Sequence, residues 1–114
     1  MFEVLLETYP LTAIKIVHES TETLLSFREA TLFVDKEDIE LAWFVDITNI
    51  TNLDFLNRLS QSLHIQVMMY ARTDTGLEIA GEGYFHPNLS VNCGTVKGSG
   101  ELIGYEQIRE AAQY

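Results

Sequence analysis

Two segments, HIQVMMYART and LEIAGEGYFH, flank Asp74, Thr75 and Gly76, and no other stretch of the chain leaves so little freedom. A three-residue hairpin loop calls for a left-handed residue in its third place, and Gly76 takes that conformation without a Cβ penalty. Pairing Thr73 with Leu77 then sets Arg72 opposite Glu78, an opposite-charge cross-strand pair worth roughly 0.2 to 1 kcal/mol. The same register aligns Ile65, Val67, Met69 and Ala71 with Phe85, Gly83, Gly81 and Ile79, so one face of the ribbon is apolar along its length. A one-residue slip would turn that face to water.

Gly81 and Gly83 thereby become inward-facing positions opposite Met69 and Val67, where missing side chains leave space. Strand glycines mark bends and close backbone approach, so the expected filler is a helix or the curvature of a closing sheet. A small-ligand pocket at Gly81 and Gly83 is the alternative. Further on, Pro87 and Asn88 are expected to turn, and Leu89, Val91 and Cys93 to share one face of the next strand. Lys97, Gly98, Ser99 and Gly100 then turn the chain into ELIGY, completing a meander.

Upstream, FEVLLE alternates weakly and LTAIKIVHES better, and a short strand lies within TLLSFREATLFVDK without a clear register. DIELAWFVDIT alternates most clearly. Ile39, Leu41, Trp43, Val45 and Ile47 take one face, and Asp38, Glu40, Ala42, Phe44 and Asp46 the other. The period then becomes helical: Leu53, Leu56, Leu59 and Leu63, with Phe55 beside them, predict an amphipathic helix over 51–63. Thr51 is its expected N-cap, with Asp54 three residues on and Ile50 and Phe55 placed for a hydrophobic staple. YEQIREAAQY has the propensity of a short C-terminal helix with Ile108, Ala111 and Ala112 on one side. The chain is expected to form a single domain over residues 1–114. Its class is mainly β: an antiparallel sheet of about six to eight strands, curled into a small sandwich or partly open barrel. A flatter α+β layer pair is the alternative.

Charge limits the partners. Seventeen acids against seven bases give a formal charge of −10, which repels phosphate backbones and anionic lipids and draws basic partners in. Direct nucleic-acid binding is therefore not expected. MFEVLLETYP lacks the basic start and apolar run of a secretory signal, and no apolar run approaches the roughly 20 residues that span a bilayer. The expected location is the cytoplasm, without membrane contact.

No reactive constellation stands out in the sequence. His86 falls across from His64, but an imidazole pair needs a further ligand, and Glu82 lies about 13 Å along the strand. His64 and His86 are the candidate metal ligands, and no metal or other cofactor is expected. Cys93 reads as a small buried hydrophobe without the basic neighbour that activates a thiol. GEGYFH continues a strand into proline, whereas a phosphate-binding loop must open a helix.

The expected function is that of a non-catalytic, acidic module that binds another protein, one with a basic surface. Its candidate contact residues are Asp38, Glu40, Phe44 and Asp46, an aromatic ringed by carboxylates. There the acids would steer the partner and the ring would form the desolvated centre. Phe44 either stands exposed in that role or packs beneath segment 23–36. Two other classes stay open: a small-molecule binder or enzyme using the pocket at Gly81 and Gly83, and an acidic nucleic-acid mimic of the phage counter-defence type. Homo-oligomerisation is compatible with all three.

Overall fold

Closure of the sheet starts from one long strand. In the computed structural model, which describes residues 6–35 and 42–111, β1 (Leu6–His18) carries ladder partners on both edges. At residues 15–17 it pairs with β2 (Thr21–Leu24) on one edge and β5 (Gln66–Thr73) on the other. Its first half, Leu6 to Pro10, pairs with β3 (Glu29–Asp35), which in turn pairs with β4 (Ala42–Thr48). β6 (Glu78–Asn88) and β7 (Cys93–Ile103) join β5 to β4. The order β1-β3-β4-β7-β6-β5 returns to β1 with every pair antiparallel. The result is a closed six-stranded barrel with β2 as an additional strand, and closure removes the free edges that an open sheet would expose.

The mediocre alternation of the first strand has a physical cause. Tyr9 and Leu11 point inward, and then Ile14, Ile16 and His18 do, because the register against β5 shifts between Leu11 and Ala13. The bulge at Thr12 adds one residue and swaps the parity of every side chain after it.

The central hairpin forms as its sequence requires. Thr73 N donates to Leu77 O at 2.8 Å, Gly76 sits at φ +89°, and Arg72 pairs with Glu78 at 3.1 Å. Val67, Met69 and Ala71 oppose Gly83, Gly81 and Ile79, all buried.

β7 departs from expectation at both ends. β6 continues through Pro87 and Asn88, and the turn comes later, at residues 89–92, leaving Leu89 and Val91 exposed rather than on an inner strand face. Asn92, at φ 53°, ends that turn, and its carbonyl accepts from Ile50 N at 2.7 Å. Lys97 to Gly100 do not turn the chain around either. They form a bulge inside one continuous strand, since Gly83 pairs with Gly98 but Gly81 with Leu102. Gly100, at φ +116°, absorbs the extra backbone.

Helix α1 (Leu53–Gln61) bridges β4 to β5 across the sheet. Its N-cap is Asn52 rather than Thr51, and the Asn52 side chain makes no capping bond because it is drawn into tertiary ones: it accepts from Ser26 N at 2.6 Å and donates to Leu24 O at 3.3 Å. Phe55, Leu56 and Leu59 are buried, with the Phe55 ring set edge-on to Phe85, which faces the barrel interior (5.0 Å between centroids). Leu53 and Leu63 are 53% and 96% exposed, so the buried stripe is narrower than the leucine spacing implies. Helix α2 (Tyr105–Ala111) buries Tyr105 and Ile108, whereas Ala111 faces solvent and Ala112 lies outside the described residues. Among the described residues no helix is long and apolar enough to cross a membrane.

Candidate functional site

Strand registers define the outer surface row by row. One row runs Thr8, Phe33, Phe44, Lys97, Tyr84 and Gln66 across six strands, and beside it run Thr31, Asp46, Thr95 and His86. Phe44 sits between the two expected states. It is half-buried, stacked on Phe33 with ring centroids 4.8 Å apart and planes 14° apart, and both rings stay on the outer face of the barrel. Beside them is a cleft of about 510 Å³ lined by Ala42, Trp43, Phe44, His86, Thr95 and Lys97, among others. Asp46 is exposed and accepts from Thr95 Oγ1 at 3.0 Å, which holds its carboxylate at the edge of the aromatic pair. Asp38 and Glu40 lie outside the described residues.

Gly81 and Gly83 do face inward, but neither opens onto a cleft. A Cβ at Gly81 would lie 2.6 Å from Cζ2 of Trp43, and one at Gly83 would lie 2.6 Å from the Lys97 carbonyl oxygen. The filler is thus the Trp43 indole and the bulged backbone of β7, not the leucine-rich helix. A Cβ at Gly98 would meet the same indole at 2.2 Å, and Trp43 Nε1 donates to Gly100 O at 3.0 Å. The glycines of β6 and β7 together form a slot for one tryptophan.

His86 is exposed on β6 opposite Thr95. His64 is exposed and precedes β5, outside the ladder that begins with Gln66 against Tyr84. Among the described residues no group of three or more His, Cys, Asp or Glu side chains is placed to hold a metal ion. Cys93 is half-buried rather than enclosed, because it begins β7 just after the exposed turn; its Sγ donates to Val91 O at 3.3 Å.

Two polar features escape the sequence reading. His18 is buried inside the barrel wall, and its Nε2 donates to the His64 carbonyl at 2.7 Å while Nδ1 has no partner among the described residues. Its inward place follows from the Thr12 bulge, through the parity it shares with Ile14 and Ile16. The second feature joins the two ends of the described chain. Tyr9 Oη and Tyr105 Oη both donate to Glu7 Oε1, at 3.0 and 2.5 Å. Burial, then the hydrogen bond and the charge of Glu7, push Tyr9 up to about 12 and Tyr105 higher still; Arg109 pulls both the other way. The Glu7–Tyr9 pair is local to β1, but Tyr105 joins it only through α2, so no local pattern could have found the whole cluster.

No protein family, curated protein or solved structure matches the chain.

Proposed function

We propose that this chain is a non-catalytic binding module whose contact surface is the outer face of β3, β4 and β7, centred on Phe33 and Phe44. The observation that carries this reading is a stacked aromatic pair left half-exposed on a barrel wall whose inner face already has its own apolar row. Aromatic anchors of this kind supply most of the energy at protein interfaces. The adjoining cleft of about 510 Å³ is large enough to receive a side chain of the partner. Asp46 borders the pair, and the formal charge of −10 steers a basic partner toward it. Of the described outer positions of β4, namely Ala42, Phe44, Asp46 and Thr48, one is a carboxylate, so this strand lends the nucleic-acid-mimic reading no support.

The test is capture from the source cell with wild-type protein, Phe33→Ala and Phe44→Ala as parallel baits. Phe44→Ala should lower stability by about 2 kcal/mol, roughly half the cost for a fully buried Phe, and leave the protein folded. A partner retained by the wild type, lost from both variants and released as salt rises is the expected result. Equal retention by all three proteins would remove the aromatic pair from the interface.

A further inference from the structure

We propose that the cleft beside Phe44 receives a tryptophan or tyrosine side chain of the protein partner, its ring stacked on Phe44 and covered by Lys97. This rests on the binding-module reading and adds the chemistry of the guest. Phe33, Phe44 and Lys97 are consecutive members of one ladder row on β3, β4 and β7. The Phe33 ring covers one face of Phe44, with centroids 4.8 Å apart and planes 14° apart. Phe44 lines the cleft of about 510 Å³ and Phe33 does not, while Lys97, Thr95 and His86 line it from β7 and β6. The cleft therefore opens against the ring face that Phe33 leaves uncovered, and a flat guest there becomes the third member of the stack. Its depth comes from the backbone: Gly98, in the β7 bulge, carries no side chain, so the cleft reaches down to the Trp43 indole.

The charges around this cleft match those of a neutral ring, which is negative on its faces and positive at its edge. Lys97 is exposed and has no ion-pair partner among the described residues, so its ammonium can lie over the guest's outer face. Asp35 pairs with Ala42, one row to one side of Phe44, and Asp46 lies one row to the other. Both carboxylates thus stand near the edge of a ring stacked on Phe44. A guanidinium or ammonium guest would meet Lys97, and a carboxylate guest would meet Asp35; a neutral ring avoids both conflicts. His86, exposed opposite Thr95, adds a ring nitrogen for an indole N–H or a phenol O–H, which favours tryptophan or tyrosine over phenylalanine. Basic residues flanking that ring respond to the long-range field of −10, so steering and anchoring fall to different groups of the partner.

Titration of the full chain with N-acetyl-tryptophanamide, followed through backbone amide shifts by heteronuclear NMR, reads the cleft without any partner. The expected result is shifts centred on residues 42–48 and 94–98, with a dissociation constant on the order of 1 mM. N-acetyl-cyclohexylalaninamide, similar in bulk but without a π face, should bind about threefold more weakly, and N-acetyl-argininamide more weakly still. Phe44→Leu should weaken the tryptophanamide about tenfold and Lys97→Met about threefold, while Lys97→Arg should restore it, because a guanidinium also covers a ring face. Thermal melting confirms the fold of each variant. Equal binding of the cyclohexyl and tryptophan amides, or no shift at these residues up to ~10 mM, overturns the proposal and leaves the capture result untouched.

The source of the ring is read in the capture experiment. A partner held through Phe33 and Phe44 should be displaced by N-acetyl-tryptophanamide and weakened by Lys97→Met. A partner indifferent to both overturns the proposal while the binding-module reading stands. A cleft that binds the tryptophanamide on a chain that captures no partner sensitive to Phe33→Ala and Phe44→Ala removes the protein partner from both, and assigns the cleft to a free aromatic molecule.

Discussion

Gly76 stands at φ +89° with no atom near the place a Cβ would take, so a side chain there costs backbone conformation and nothing else. Gly76→Val should therefore lower stability by about 1 kcal/mol or more, and Gly76→Asn by less, because Asn visits the left-handed region more readily than a β-branched residue. Chemical denaturation of the two variants gives the ranking. A second single-residue effect belongs to the tyrosines that share Glu7. The folded protein holds Tyr9 from 10.0 up to about 12, with burial the largest cause, so the native state keeps a proton that the unfolded chain releases. The stabilisation is complete below pH 10.0 and is lost as pH rises toward about 12; Tyr105, shifted the same way, adds to the loss. Melting temperature followed across that window should fall less steeply in Tyr9→Phe and in Tyr105→Phe than in the wild type. A slope unchanged by both substitutions would mean that these hydroxyls do not carry the alkaline transition.

Among the elements, β7 and β4 are coupled through the tryptophan slot. Gly98→Ala drives a Cβ into the Trp43 indole and should destabilise by about 1 to 3 kcal/mol, the usual range for overpacking. Trp43→Phe in the same background should return part of that loss, since the smaller ring vacates the contact; a double-mutant cycle measures the return, and strict additivity would refute the slot. The elements also show where local pattern is readable. The ribbon of β5 and β6 is legible because its loop glycine, charge pair and apolar rows all point to one register. The described part of β4 is legible because Trp43, Val45 and Ile47 alternate without interruption. β1 is not, because a bulge reverses its parity, and β7 is not, because glycine marks a turn and a bulge equally well.

For the molecule as a whole, closure depends on partners far apart in the chain. Leu11 pairs with Thr73, and Tyr105 reaches Glu7 across 98 positions. Loop closure on that scale must precede the contacts that repay it, so refolding should take milliseconds to seconds. Trp43, the single tryptophan and a buried one, reports it in a stopped-flow experiment, and microsecond refolding would contradict the closed topology. Sequence alone determined what depends on near neighbours: the hairpin and its register, the two faces of β4, the change from strand to helix near residue 51, and an acidity that bears on every partner. It also placed Gly81 and Gly83 on the inside and Phe44 on the outside, without saying what each would touch. Tertiary structure decided that β1 closes against β5, that Trp43 fills the glycine slot, that Phe33 covers one side of Phe44 and that α1 buries three side chains while Leu53 and Leu63 face solvent. The reason is one of range. Backbone propensity and alternation act over a few residues and are written in each window of sequence, whereas the volume left by a missing side chain is filled by whichever segment the closed barrel carries there.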